Sequence, residues 1–163
     1  MGHAPASTHE GHMPRIHLTT VIRVPPELCF DLVLNVDTQV ALVGGMRAIA
    51  GVRAGPLHQD DTVTWRSWHF GIPWHMTSKV MVIERPQRFV DEMQHGPFAS
   101  WRHVHEFQPI SEGTAMHDTV YYATPLGILG RVFDVAVLRH YLMALLRDRN
   151  KRLKRLAERT AGD

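Results

Sequence analysis

At 163 residues, 44% of them hydrophobic and 21% charged, the chain has the size and balance of one folded domain and none of the low hydrophobicity of a disordered chain. No run approaches the ~20 apolar residues that a membrane-spanning helix needs, and the start lacks the basic-then-apolar layout of a secretory signal, so a soluble cytoplasmic protein is expected. The formal charge of +2 counts twelve histidines as neutral and so excludes little, whereas the single cysteine, Cys29, rules out an internal disulfide and a multi-cysteine zinc cage.

Residues 1–14 are small, polar and without periodicity, which predicts a disordered tail ahead of a single domain over 15–160. The tail histidines His3, His9 and His12 have no carboxylate cluster or rigid element to organise a metal site. Ala6 stands where a myristoylation signal needs Ser or Thr. From Arg15 the chain alternates, with Ile16, Leu18, Thr20 and Ile22 on one face, and this predicts a first strand. Pro25-Pro26 ends it and opens a short apolar helix over 27–34. A second helix should begin at an Asp37 cap and stop at Gly44-Gly45.

Beyond Met46, segments of eight to eleven residues are separated by turn-forming residues, predicting strands near 47–54, 61–70, 74–84, 88–95, 100–108 and 114–123. Short connections between successive strands imply an antiparallel meander, because parallel pairs need long crossovers. Pro125, Gly127 and Gly130 then open a helical stretch to about Arg159. Val132, Val135, Leu138, Leu142, Leu145, Leu153 and Leu156 recur on one face of it. Over 147–159 that stretch carries seven Lys or Arg against two acids, which reads as a solvated face whose cations also suit the helix C-terminus.

Side chains alternate along a strand, so one anchor assigns each face. Charged Lys79 marks its own face as outer, which turns Trp74, Met76, Ser78, Val80 and Val82 inward and leaves Met81 and Ile83 outside. On the next strand Phe89 and Met93 carry Asp91 inward; on the following one Trp101, His103, His105 and Phe107 share a face; on the last, Met116, Asp118, Val120 and Tyr122 do. Trp65 is the better inner residue of its strand because Arg66 belongs in solvent. A four-residue loop over 110–113 would set His105 opposite Asp118, and parity then allows a row Asp91–His105–Asp118 across the sheet.

Buried ionisable groups are costly unless paired, so these residues neutralise one another, anchor the polar end of a ligand, or move a proton through a carboxylate-polarised His105. A metal on His103 and His105 is not expected, since nothing clearly supplies a third ligand beyond Asp118, and no cofactor is expected. Gly-rich phosphate loops, paired glycosidase carboxylates and a Ser-His-Asp elbow are absent from the sequence.

The order strand, two short helices, six-strand meander and long helix resembles the helix-grip fold of the START/Bet v 1-like superfamily (SRPBCC, polyketide cyclase/dehydrase and lipid transport proteins). The likeness spans about 15–158 and includes the Glu84-Arg85-Pro86-Gln87-Arg88-Phe89 turn into a strand and the Gly113-Thr114 to Asp118 strand, both recurrent in bacterial members. It implies an α+β fold, a curved seven-stranded antiparallel sheet around a long C-terminal helix, with a cavity between them for lipids, polyketides or aromatic compounds. Fold alone does not choose among the functions such a scaffold carries. The expected function is binding of a small hydrophobic molecule by Trp65, Trp74, Met76, Phe89, Asp91, Met93, Trp101, His103, His105, Phe107, Met116, Asp118, Tyr122, Leu138 and Leu142. The alternatives are a cyclase, dehydratase or isomerase using His105 with Asp91 or Asp118, and an interaction module with a filled core. Nucleic acid is not an expected partner, membrane contact is at most peripheral through the basic helix, and the sequence sets no oligomeric state.

Overall fold

The computed structural model describes residues 14–125 and 127–162, apart from the side chains of Ile128, Gly130, Arg131, Val135 and Ala136. Pro14 is the one member of the expected tail among them; His3, His9 and His12, and the Val135 side chain of the predicted stripe, lie outside the described residues.

Strand β1 (Arg15–Ile22) buries Ile16 and Ile22 on its inner face, as its alternation requires. Pro25 and Pro26 then lead into α1 (Pro26–Val33), where the missing proline N–H costs nothing. Helix α2 (Val36–Leu42) is capped by Asn35, whose Oδ1 accepts from the Asp37 and Thr38 backbone N–H groups. The expected cap, Asp37, sits inside the first turn instead and accepts from Gly55 N, tying the helix to the following loop.

The meander follows as β2 (Arg47–Gly51), β3 (Thr62–His69), β4 (Ile72–Glu84), β5 (Arg88–His95), β6 (Ser100–Ile110) and β7 (Gly113–Ala123). With β1 these form one curved seven-stranded antiparallel sheet in the order β1-β7-β6-β5-β4-β3-β2. In the β6–β7 hairpin Pro109 pairs with Thr114 and His105 with Asp118, as expected, but Ile110 also pairs with Gly113, so the loop is two residues and not four. Gly113 has φ +134°, and a Cβ there would fall 2.4 Å from the Ile22 carbonyl oxygen, so this tight return needs glycine.

One irregularity reverses an expected face. A bulge between Val80 and Val82 lets Val82 pair with Val90 and Ile83 with Phe89, and Ile83 thereby packs on the core while the strand start keeps Trp74, Met76, Ser78 and Val80 inside.

The C-terminal helical stretch comprises α3 (Gly127–Phe133), a π-helical turn over Asp134–Leu138, and α4 (Arg139–Thr160). Its buried stripe runs Leu138, Leu142, Leu146, Arg149, Asn150, Leu153 and Ala157. Leu145 and Leu156 of the predicted stripe flank it half-buried, and Val132 is exposed. Two apolar clusters hold the helix to the sheet. In the first, Phe30 of α1 meets Phe89 and Phe107 edge-on at 5.6 and 5.4 Å, over Leu153 and Ala157. In the second, Val120 and Tyr122 pack against Leu138, Leu142 and Leu146.

Candidate functional site

Between the two clusters the sheet curves away from α4 and encloses a cavity of about 460 Å³. Its wall is mainly apolar: Val63, Trp65, Trp74, Met76, Val80 and Phe89 from the sheet, Leu42 from α2, Phe98 from the β5–β6 turn, and Leu142, Leu145 and Leu146 from α4. Exposed Trp68, Asp148 and Arg152 also stand on it, so the cavity reaches solvent. Inner polar groups satisfy each other where they can: the Trp65 indole donates to Ser78 Oγ at 3.0 Å, and His69 lies 2.7 Å from Ser67 Oγ and 2.9 Å from the Tyr141 hydroxyl. Burial pushes the His69 pKa down, which keeps that ring neutral.

One part of the wall is charged. Asp91 on β5, His103 and His105 on β6, and Arg149 on α4 face the cavity, with Asp118 of β7 wholly buried behind them. His103 Nε2 donates to Asp118 Oδ1 at 3.0 Å, and Asn150 donates to Asp118 Oδ2 at 2.7 Å and to Thr20 Oγ1 at 3.2 Å. His105 Nε2 donates to Asp91 Oδ1 at 3.3 Å. His105 Nδ1 lies 2.8 Å from Asp118 Oδ1, yet its alignment is not that of a hydrogen bond, so this is a charge contact at short range. Arg149 completes the group: it donates to Gln39 Oε1 and Asn150 Oδ1 at 3.1 and 3.0 Å and lies 3.9 Å from Asp118.

The ionisation follows from these contacts. Burial alone would raise the Asp118 pKa, but the bond from His103 and then the close His105 ring outweigh it and hold the carboxyl well below its usual range. At Asp91 burial is likewise overcome, chiefly by His105. Burial lowers the His103 pKa and the neighbouring His105 charge lowers it further, against the pull of Asp118. At His105 burial is outweighed by the close Asp118 carboxylate and the bond to Asp91, so its pKa is raised. Two carboxylates thus face an imidazolium and a guanidinium, with His103 neutral beside them, a pairing that makes the buried charges tolerable.

Of the residues expected on the cavity, Trp65, Trp74, Met76, Phe89, Asp91, Trp101, His103, His105 and Leu142 line it. Phe107, Met116, Asp118 and Tyr122 point to the same side but do not reach the cavity surface, because α1 packs on β6 and β7 there and α4 on β1. Tyr122 is closed off by Phe98 and Trp101 and donates to Asp134 Oδ1 at 2.6 Å; burial and this bond push its pKa up. Leu138 lines a smaller cleft beside Phe133 and Leu129, and Met93 sits against the Gly96 turn.

Asp91 pairs across strands with His103 and not, as expected, with His105, whose partner is Phe89. Arg149 and Asn150 were not expected at all, the basic end of the helix having been read as a solvated face. Arg147, Lys151, Arg152, Arg155 and Arg159 are exposed, but Arg149 and Asn150 interrupt the apolar stripe between Leu146 and Leu153. That eight-residue gap between Leu145 and Leu153 in the periodic pattern is the signal that could have found them.

Comparison with known proteins agrees with this architecture. A family model described as polyketide cyclase / dehydrase and lipid transport matches residues 13–158. The chain is similar to TTHA0849 from Thermus thermophilus, at 18% identity and TM-score 0.68, over 86% of this chain and 97% of that one. It is similar to SA2116 from Staphylococcus aureus, a protein of unknown function, at 8% identity and TM-score 0.73, over 94% and 99%. CV1439 from Chromobacterium violaceum matches at 14% identity and TM-score 0.67, over 89% and 98%. At these identities the structures speak for the fold alone. No curated protein matches the sequence.

Proposed function

Because the chain belongs to the polyketide cyclase / dehydrase and lipid transport family, we propose that it binds one small, largely apolar molecule in the cavity between sheet and α4, as a carrier or a sequestering protein. The observation that carries this reading is the cavity itself: about 460 Å³, apolar over most of its wall, with one charged cluster at Asp91, His103, His105 and Arg149. Small-molecule sites share that composition and span roughly 300–1,000 Å³. Apolar contact with Trp65, Trp74, Phe89, Leu142 and Leu146 would supply most of the affinity, at about 25 cal/mol per Å² buried. The charged cluster would hold the ligand's polar end and set its direction.

Native mass spectrometry of the purified protein, followed by titration with oleate and with 1-anilinonaphthalene-8-sulfonate, tests the reading. A co-purified or titratable apolar molecule, lost when Leu142→Trp fills the space but the protein stays folded, is the expected result. Equal binding by the wild type and Leu142→Trp, or none by the wild type, would overturn it. No helix among the described residues is long and apolar enough to cross a membrane.

A further inference from the structure

One ligating atom each from Asp91, His103 and His105 can be chosen so that all three lie within 4.8 Å of one another. Two imidazoles and a carboxylate suit borderline divalent ions such as Zn²⁺, Co²⁺ or Fe²⁺, and three protein ligands leave coordination positions open. The three side chains line the cavity and Asp118 does not.

The position of Asp118 separates this cluster from a chance meeting of polar groups. Its Oδ1 lies 3.0 Å from His103 Nε2 and 2.8 Å from His105 Nδ1, so one nitrogen of each ring is turned to the same buried carboxylate. The nitrogens left for a metal are His103 Nδ1 and His105 Nε2, and the latter is already 3.3 Å from Asp91 Oδ1. A metal-bound histidine ordinarily presents its second nitrogen to a carboxylate, which orients the ring and strengthens it as a ligand. Here Asp118 accepts from His103 and lies in close charge contact with His105 Nδ1, and it is itself held by Asn150 at 2.7 Å.

We infer that Asp91, His103 and His105 form a binding site for one divalent transition-metal ion, oriented from behind by Asp118 and open toward the cavity. The site does not depend on the apolar-ligand reading, because its donors are protein groups alone.

The test uses the full chain, stripped with a chelator and titrated with Zn²⁺ and Co²⁺ by calorimetry, with the visible absorption of bound Co²⁺ as the second readout. The tail histidines are removed as competitors in a His3→Gln, His9→Gln, His12→Gln variant. In that variant one equivalent of Co²⁺ should still bind and give intense ligand-field bands. Asp91→Asn or His103→Gln, checked for folding by circular dichroism, should weaken binding about 100-fold or more, and Asp118→Asn by roughly 10- to 100-fold. Loss of all binding with the tail histidines, or a Co²⁺ complex unaffected by folded Asp91→Asn, would overturn the inference. Oleate titration of the chelator-treated protein reads the ligand hypothesis separately.

Discussion

His105 Nε2 reaches Asp91 Oδ1 at 3.3 Å although the two residues are not cross-strand partners: the register sets Asp91 opposite His103, and His105 opposite Phe89, on which its ring stacks at 4.1 Å. The bond is therefore diagonal, a reach that neighbouring strands allow to side chains of this length. The His103 and His105 rings lie with centroids 3.7 Å apart, tilted by 35°, and together they carry the row from β5 to Asp118 on β7.

Asp118 anchors this row, so its removal should be severe. Asp118→Ala would leave His103, His105, Asn150 and Arg149 without their shared acceptor, and losing one partner of a buried ion pair costs about 3–5 kcal/mol. Urea unfolding of the variant should show an unfolding free energy lowered by that amount, and a change below about 1 kcal/mol would mean the row is solvated.

Stability should peak near the unfolded histidine pKa of about 6.5 and fall on either side, for different reasons. His105 has a raised folded pKa, so its contribution is full below about 6.5 and is lost as pH rises through the folded value. His103 has a lowered one, so stability falls as pH drops from about 6.5 toward that value, and Asp118, also lowered, adds a loss below its unfolded value near 3.9. Thermal unfolding of chelator-treated protein from pH 3 to 10 should show this dome; His105→Asn should flatten its alkaline side and His103→Asn the stretch just below 6.5.

Cys29 is fully buried in α1, and its thiol is pushed up to about 11, first by burial and slightly by the nearby Glu158 charge. Because the thiolate is the reactive form, the native protein at pH 8 should resist a disulfide reagent such as DTNB and release one equivalent of thiol on unfolding. Prompt reaction in native buffer would place Cys29 at an open surface.

Phe30 is 1% exposed and meets Phe89 and Phe107 edge-on in the packed cluster behind the cavity wall. Phe30→Ala should cost about 3–5 kcal/mol in urea unfolding. Trp74, half-buried on the cavity wall, should lose more apolar-ligand affinity than stability on substitution by Ala. The reverse order in the two variants would show that the wall is part of the packed core.

Period and punctuation made most of the architecture legible. Alternation from Arg15, turn residues at regular spacing and a three-to-four-residue apolar repeat at the end sufficed for the antiparallel meander and the helix it grips, because each signal is local and the strands follow one another in space. Even His105 facing Asp118 could be read, since a tight hairpin ties register to chain distance. Four details depended on contacts between distant segments. The bulge at Val80, which turns Ile83 inward, answers the curvature of the sheet; Asn35 caps the second helix while Asp37 is taken by Gly55; Asp91 meets His103 because the connection over 96–99 sets the β5–β6 register. Arg149 and Asn150 pass for surface residues until α4 is laid over the sheet, where they become partners of a carboxylate on β7. Pattern along the chain thus assigns elements and faces, but whether a face ends in packed core or in a cavity wall depends on how far each helix stands from the sheet, a distance set by side chains far apart in sequence.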